Sequence, residues 1–313
     1  SVSMASATGL FDQNRCDWDG AILSHLKIDS SRLSEIGQRH EGLSGLSEEY
    51  RKRWPALSAA RWFPALGDGA CANIGSGCVT PDRFALTMGT SAAIRALWKA
   101  RRVNVPDGLW CYRADHQRFV MGGALSNGGD VFAWMKQTLR LGESEEIEPQ
   151  VADMEADSHG LTMLPFLSGE RSTGWREDAR AVIVGLSLDT TPAELLRAGM
   201  EAVAYRLAAI YDLLVKEVGT PRQIVASGGA VLRSPAWAQI ITDVIGKQII
   251  ASAQTEASCR GAALLALEAL GVIPAIEDVE SKTGSVYTPD LSRHERYLAA
   301  RERQEQLYRA LFG

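Results

Sequence analysis

The stretch that decides the fold class is RQIVASGGAVLRSPAWAQIITDVIGKQIIAS, residues 222–252. Its first apolar run predicts a buried strand, which ends in a turn at Gly228 and Gly229. Ser234 and Pro235 predict a helix start, because serine caps a helix N-terminus and proline fits the first helical position. KQIIAS is a second short apolar run. Strand, helix and strand in this order predict a βαβ unit in a layered α/β domain.

Helical patterns continue on both sides of this stretch. DTTPAELLRAGMEAVAYRLAAIYDLLVKEVG, residues 189–219, predicts a long helix. Thr191 caps it, Pro192 takes its first position, Glu194 completes a capping box and Gly219 ends it. SCRGAALLALEALG predicts a helix after the second strand, and RYLAARERQEQLYRALF predicts an amphipathic last helix. The second half of the chain therefore alternates strand and helix.

From residue 83, the apolar runs are short and predict a cluster of antiparallel strands. RFALTMGT and AAIRALWKA are two such runs. LWCYR and RFVMGG are the arms of a hairpin whose turn is ADHQ, residues 114–117. GGDVFAWMKQTLRLG predicts a helix, and GLTMLPFL predicts a buried strand. Residues 17–60 predict short helices and loops, with Pro55 as an interruption.

Composition argues against several classes of protein. The 313 residues, 46% apolar and 23% charged, suit about two globular domains. A net charge of −5 argues against a protein built to bind nucleic acid or an anionic membrane. The apolar runs are too short to span a membrane. Five cysteines without a CxxC pair indicate free thiols in a reducing cytoplasm rather than a zinc site.

Three glycine turns are candidate anion sites: TMGTS at 87–91, NGGD at 127–130 and ASGGA at 226–230. Free backbone N–H groups at strand ends and helix starts attract phosphate. The alternative is that such glycines only permit tight packing. The motifs GxxxxGK[ST] and GxGxxG are absent, and GTSAA lacks the last glycine of the serine elbow GxSxG. A Walker-type site, a Rossmann site and a serine hydrolase are therefore not supported.

The segment ALGDGACANIGSGC, residues 65–78, places one carboxylate, Asp68, among small residues. Small side chains let backbone or a ligand approach closely. A carboxylate in this setting is a candidate base, metal ligand or turn former. The structural alternative is that Asp68 only turns or caps the chain between Gly67 and Gly69. The local sequence alone leaves these interpretations open.

Four motifs together resemble the FGGY family of carbohydrate kinases, in register from residue 1 to about 300. They are ALGDGACANIGSGC with ALTMGTSAAIRAL, LPFLSGERSTGWREDARAVIVGLSL, AVIVGLSLDTTPAELLRAGME, and ASGGAVLRSPAWAQIITDVIGKQI. ASATGLFDQNRCDWD and GERSTGWREDAR are most similar to the gluconokinase and xylulokinase types. Gly199 departs from the family's second signature, which usually has another small or aliphatic residue there. The resemblance implies an α/β, actin-like ATPase (RNase H-like) fold with a mixed sheet flanked by helices.

The resemblance also implies site residues, position by position. Asp68 lies in the family's Gly-Asp motif, which implies that Asp68 is the catalytic base. The resemblance also implies that Asp68 and Gly69 belong to the substrate site. The implied nucleotide-binding residues are Gly89, Thr90, Gly129, Gly228, Gly229 and Arg233. Arg233 stands where glycerol kinases have an adenine-contacting asparagine, which leaves that contact open. The implied cofactors are ATP and Mg²⁺, without an implied metal ligand. Arg171 and Arg176 could face phosphate or brace a loop, and we favour the bracing role.

The activity implied is transfer of the γ-phosphate of ATP to a primary hydroxyl of an open-chain sugar or sugar acid, with a gluconate-like acceptor favoured. The family's D-x-G-T segment, which handles phosphate and Mg²⁺, does not occur in these 313 residues. We therefore expect a C-terminal portion of such a kinase, inactive when isolated. Residues 1–80 would derive from the first domain and carry Asp68, residues 81–284 would form the nucleotide-side domain, and residues 285–313 the last helix.

Two competing interpretations stay open beside this one. The chain could be a non-catalytic actin-fold module that binds nucleotide or another protein, or it could belong to a xylulose-type sugar kinase. Surface that the first domain normally covers would be exposed in this chain, which favours a homodimer or a disordered segment within residues 1–80.

Overall fold

A seven-stranded mixed sheet lies at the centre of the computed structural model, which describes residues 1–37 and 42–313. The α-helices are α1 Val2–Ala5, α2 Gly20–Leu26, α3 Glu48–Arg53, α4 Asp68–Gly75, α5 Gly129–Thr138, α6 Ser144–Asp153, α7 Pro192–Val218, α8 Gly229–Leu232, α9 Pro235–Ile245, α10 Ala257–Ala269 and α11 Leu291–Phe312. The strands are β1 Phe11–Asp12, β2 Asp17–Trp18, β3 Leu43–Ser44, β4 Arg61–Trp62, β5 Arg83–Met88, β6 Ala92–Lys99, β7 Trp110–Arg113, β8 Arg118–Leu125, β9 Thr162–Leu164, β10 Val182–Val184, β11 Gln223–Ser227, β12 Ile249–Ser252 and β13 Thr283–Tyr287. Short 3₁₀ helices lie at Ser30–Arg32, Pro55–Leu57 and Ile276–Asp278.

The strand order of the large sheet is β13-β12-β11-β5-β6-β8-β7. Strands β5, β11 and β12 run parallel, while β5–β6, β6–β8, β7–β8 and β12–β13 are antiparallel pairs. The predicted antiparallel cluster, its hairpin and the βαβ unit are all confirmed. The predicted mixed sheet flanked by helices is confirmed as well. The βαβ unit and the cluster join where β11 pairs with β5, at the middle of the sheet.

Helix α7 covers one face of the sheet, where it contacts β6, β8 and α9. The predicted capping box is present, because the Thr191 hydroxyl accepts from the backbone N–H of Glu194 and the Glu194 carboxylate accepts from that of Thr191. Its Val203 and Leu207 belong to the main core with Ile94 of β6. Burial of this continuous apolar face is the main stabilising term for the domain.

Helices α4 and α10 pack together on the opposite face. Their backbones cross so closely that a Cβ on Gly75 would lie 1.7 Å from the carbonyl oxygen of Ala257, and one on Gly261 would lie 1.9 Å from that of Cys71. The small residues near Asp68 therefore serve this helix crossing. The sequence analysis left open whether backbone or a ligand approaches these residues, and at Cys71 and Gly75 it is the backbone of α10.

Within residues 1–37 and 42–66, the secondary-structure elements are short. Helices α2 and α3 confirm the short helices predicted for residues 17–60, although residues 38–41 of that range lie outside the described residues. The prediction missed two antiparallel ladders of two residues per strand, β1–β2 and β3–β4. Among the helices that the structure describes, none is long and apolar enough to cross a membrane. All five cysteines are free thiols.

Candidate functional site

Two of the predicted glycine turns meet at the carboxyl ends of two neighbouring strands in the middle of the sheet. Strands β5 and β11 are parallel neighbours, and Thr87 pairs with Ser227 at their ends. Gly89 and Gly228 follow these ends, so both turns emerge side by side. The backbones touch here, because a Cβ on Gly228 would lie 2.4 Å from the carbonyl oxygen of Met88.

The third glycine turn, at the start of α5, is hydrogen-bonded to the first. The backbone N–H of Gly129 donates to the carbonyl oxygen of Gly89 at 2.8 Å, and that of Gly128 donates to the carbonyl oxygen of Thr90 at 2.9 Å. The Asp130 carboxylate fixes this turn from the helix side by accepting from Gly128 N at 2.8 Å. Three turns from distant parts of the sequence therefore form one backbone cradle.

A cleft of about 520 Å³ opens beside this cradle. Its lining residues are Gly129, Phe132, Ala133, Ser144, Glu148, Gly229, Ala230, Arg233, Ser234 and Trp237. The Phe132 and Trp237 rings lie 6.0 Å apart between centroids and form part of the apolar wall. A cleft of this size with an apolar wall and a polar rim is typical of a small-molecule site.

The four glycines of the cradle differ in what surrounds them. A Cβ on Gly129 would lie 2.5 Å from the carbonyl oxygen of Gly89, and Gly228 has a φ of +95°. The three atoms nearest to a Cβ on Gly229 would all belong to the guanidinium of Arg233, with Nη1 at 2.5 Å. Around a Cβ added to Gly89, no heavy atom of the described chain other than those of Gly89 and its two neighbours lies within 4 Å. Tight packing therefore explains Gly129 and Gly228, while Gly89 and Gly229 face space that a ligand could use.

Asp68 is the first residue of α4, with its side chain exposed to solvent. Its Oδ1 accepts a hydrogen bond from the backbone N–H of Gly69 at 2.7 Å, so part of the turn-forming interpretation holds. Gly67 occupies the N-cap position. The Asp68 carboxylate therefore lies beside the positive end of the α4 helix dipole.

Two further side chains border Asp68, and the sequence analysis did not identify them. A Cβ on Gly69 would lie 2.7 Å from the hydroxyl of Tyr112 and 3.5 Å from Nη1 of Arg95. Burial raises the pKa of Tyr112 to about 12, so its hydroxyl stays protonated and is able to donate a hydrogen bond. The available signal for Arg95 was a cation inside the apolar strand AAIRALW.

Asp157, His159 and Glu201 form a cluster whose ligand-type atoms lie within 4.8 Å of one another. His159 Nδ1 accepts from the backbone N–H of Leu161, so Nε2 carries the proton and donates to Glu201 at 3.1 Å. Arg197 Nε also donates to Glu201, at 2.6 Å. Burial raises the pKa of Glu201, but the His159 hydrogen bond and the Arg197 charge outweigh it and hold that pKa below its ordinary value. These bonds explain the cluster as a network of the fold.

The segment GERSTGWRED is braced against the last helix, as predicted for Arg176. Its guanidinium donates to the carbonyl oxygen of Phe312 and lies 5.7 Å from the centroid of the Phe312 ring. Glu170 in the same segment accepts from Arg206 at 2.6 Å and from Tyr308 at 2.7 Å. Arg171 is exposed, and its backbone carbonyl accepts from Trp175 at 2.7 Å.

The match to a known family agrees with this architecture. The family model described as "FGGY family of carbohydrate kinases, C-terminal domain" matches residues 84–270. The chain belongs to the FGGY family of carbohydrate kinases. The matched range includes all three glycine turns and the cleft, while Asp68 lies before it.

Relatives of known sequence and structure give the same result. Gluconokinase from Bacillus subtilis (strain 168) is 28% identical over 296 residues, 91% of this chain and 58% of the relative. Glycerol kinase from Koribacter versatilis (strain Ellin345) is 27% identical over 275 residues, 87% of this chain and 54% of the relative. This chain therefore spans less than two thirds of the length of either relative.

Solved structures confirm the actin-like ATPase fold. The ligand-bound xylulose kinase from Lactobacillus acidophilus has a TM-score of 0.91 at 29% identity, over 99% of this chain and 64% of that protein. The gluconate kinase from the same organism also has a TM-score of 0.91, at 28% identity and with the same coverage.

Proposed function

We propose that this chain carries the nucleotide site and the general base of an ATP-dependent carbohydrate kinase. The observation that carries the proposal is the meeting of three glycine turns at the carboxyl ends of two neighbouring strands, beside a cleft of about 520 Å³. The proposal concerns the whole protein to which these residues belong, because the chain covers only 58% of its gluconokinase relative.

The nucleotide would lie with its base in the cleft and its phosphates along the cradle. Phe132 and Ala230 offer apolar surface for a purine. The phosphates would approach the Gly89–Thr90 turn at Gly89, where a Cβ would meet open space. The Arg233 guanidinium lies over Gly229, on the path from the cleft to the turns. We therefore assign Arg233 to the phosphate or ribose side of the nucleotide rather than to adenine.

Mg²⁺ would enter this site as the complex with ATP. The two carboxylates beside the cradle and the cleft already have partners within the protein. Asp130 accepts from Gly128 N at 2.8 Å and from Asn127 Nδ2 at 2.7 Å, and Glu148 accepts from Ser234 Oγ at 3.0 Å. We therefore assign no metal ligand in this chain. The ion would supply charge neutralisation at the β- and γ-phosphate oxygens.

Asp68 would act on the acceptor. An exposed carboxylate at a helix start is able to accept the proton of a hydroxyl that forms a hydrogen bond with it. As the hydroxyl oxygen bonds to the γ-phosphorus, the bond from that phosphorus to the bridging oxygen breaks and ADP leaves. Gly69, next to Asp68, leaves room for the Tyr112 hydroxyl, which would border the acceptor at the same site.

The favoured acceptor is an open-chain sugar acid similar to gluconate, with xylulose as the second candidate. The relatives named gluconokinase and gluconate kinase support the first, and the xylulose kinase with the same TM-score of 0.91 supports the second. Both acceptors offer a primary hydroxyl to Asp68, so one mechanism serves either.

A coupled assay for ADP release tests the activity, with gluconate, xylulose, ribulose and glycerol as acceptors. In a preparation of full kinase length we expect turnover at about 1–100 s⁻¹ with one of the first two. Asp68→Asn should lower kcat by about 10²–10⁴-fold, the usual contribution of a general base, and keep the affinity for ATP. Asp19→Asn is the control, because it removes a charge at the start of another helix, α2, outside the cradle and the cleft.

Near wild-type turnover in Asp68→Asn would contradict the assignment of the base. Binding of ATP without ADP release under any acceptor would instead favour the non-catalytic actin-fold module.

A further inference from the structure

Arg95 joins the helix that carries Asp68 to the centre of the sheet. It lies on β6, where its Nε donates to Asn73 Oδ1 at 3.0 Å and its Nη2 donates to Thr87 Oγ1 at 2.8 Å. Asn73 belongs to α4 and Thr87 belongs to β5. One planar guanidinium therefore holds two secondary-structure elements at a fixed separation.

The Thr87 side of this contact lies at the base of both strand-end turns. The hydroxyls of Thr87 and Ser227 lie 3.2 Å apart, and the two residues pair across β5 and β11. Gly89 follows Thr87 by two residues, and Gly228 directly follows Ser227. A shift of the guanidinium would therefore displace the strand ends from which both turns begin.

The Asn73 side lies in the same short helix as Asp68. Asn73 is fully buried and lies five positions after Asp68, an axial rise of about 7.5 Å. Because α4 has only eight residues, fixing one of its buried side chains fixes its rotation and its first turn. The second anchor of α4 is its crossing with α10, which contacts Cys71 and Gly75, on either side of Asn73 in the sequence.

Both side chains that accept hydrogen bonds from Arg95, those of Asn73 and Thr87, are neutral. A cation removed from water is usually paired with an opposite charge, so this arrangement is unusual. Burial lowers the pKa of Arg95, and the charge of Asp68 opposes that effect. A neutral side chain of similar volume would avoid the desolvation of a cation. The cation is therefore not explained by packing alone, and its contacts connect α4 with the two turns.

We propose that Arg95 is a positioning residue that couples helix α4 to the Gly89 and Gly228 turns and thereby places Asp68 for phosphoryl transfer. The catalytic part of this proposal rests on the proposed function, in which Asp68 is the base. The coupling of helix α4 to the two turns does not rest on the proposed function. The coupling and its catalytic effect are therefore measured separately.

Hydrogen exchange on the 313-residue chain measures the coupling. In Arg95→Met, amides in the segment Gly69–Asn73 should exchange about tenfold faster or more, because α4 loses its central anchor. Lys99→Met is the matched control, since Lys99 lies on the same strand but pairs with Glu277 at 3.1 Å. Unchanged exchange in Gly69–Asn73 with Arg95→Met would overturn the coupling. If Arg95→Met does not fold, Thr87→Val removes one of the two hydrogen bonds and takes its place.

Kinetics of the full-length kinase measure the catalytic consequence. Arg95→Met should lower kcat by about 10–100-fold, the range that a displacement near 1 Å causes, with KM for the sugar and Kd for ATP within about threefold. Added guanidinium ion should restore part of kcat in Arg95→Ala, which leaves space for the ion, and none in Lys99→Ala. The positioning role would be overturned if kcat of Arg95→Met were unchanged. It would also be overturned if the loss of activity came from a higher KM for the sugar and a higher Kd for ATP. If wild type phosphorylates no sugar, the proposed function fails, and hydrogen exchange still decides whether Arg95 couples α4 to the turns.

Discussion

Gly89 and Gly228 end neighbouring parallel strands of one sheet, yet their surroundings differ completely. Gly228 has a φ of +95°, and a Cβ there would lie 2.4 Å from the carbonyl oxygen of Met88. Around a Cβ on Gly89, the described residues leave a radius of 4 Å free. The same sequence signal, a glycine after a strand, therefore arises from backbone packing in one turn and from open space in the other.

A second pair of glycines repeats this contrast across the cradle. Gly129 is held against the carbonyl oxygen of Gly89, where a Cβ would lie at 2.5 Å. Gly229 faces the movable guanidinium of Arg233 instead. If the cradle binds phosphate, substitutions at the packed glycines should act on stability, and substitutions at the open glycines should act on ligand affinity.

The largest effect is expected for Gly228→Ala. The added methyl group meets backbone that is unable to move aside, and a positive φ is unfavourable for alanine. We expect a loss of about 3 kcal/mol in the free energy of unfolding, measured by urea denaturation with an unchanged m-value. Gly89→Ala is the matched control and should stay within about 0.5 kcal/mol of wild type. Equal losses in both variants would remove the distinction between the two turns.

The next effect concerns ligand affinity in Gly89→Ala. A methyl group at this open position would occupy the space that phosphate oxygens need for close approach to the backbone. We expect about tenfold weaker binding of MgATP by calorimetry, equal to about 1.4 kcal/mol. Unchanged affinity in a stably folded Gly89→Ala would show that the space at Gly89 is not used by the nucleotide.

The smallest effect is expected for Gly229→Ala, because the side chain it meets is flexible. We expect Arg233 to swing away and MgATP to bind about threefold more weakly, about 0.6 kcal/mol. The larger side chain of Gly229→Val should weaken binding further. In a double-mutant cycle with Arg233→Ala, the effect of Gly229→Ala should shrink, since both changes displace the same guanidinium. Fully additive losses would contradict the contact between residues 229 and 233.

Local signals explain why the elements of this fold could be predicted from the sequence. The starts of α7 and α9 follow from Thr191 with Glu194 and from Ser234 with Pro235, and each cap is present. These motifs join residues within one turn of helix, so no knowledge of distant contacts is needed.

Contacts between distant residues explain what the sequence analysis missed. The crossing of α4 and α10 brings Gly75 against Ala257, and their sequence positions give no sign of it. For the same reason, an arginine in β6 could not be connected with Asn73 or with Asp68 before the sheet order was known. The family resemblance supplied the site residues, but only the packing separates the open glycines from the filled ones.

Hydrogen exchange of the 313-residue chain with and without MgATP tests the central claim most directly. The account predicts slower exchange on nucleotide addition in three peptides, which contain residues 86–91, 127–133 and 227–234. Peptides of α2 and α3, far along the chain from the cradle, should not change. Protection confined to other regions, or none at nucleotide concentrations up to about 1 mM, the upper range of enzyme KM values, would contradict a nucleotide site in the cradle.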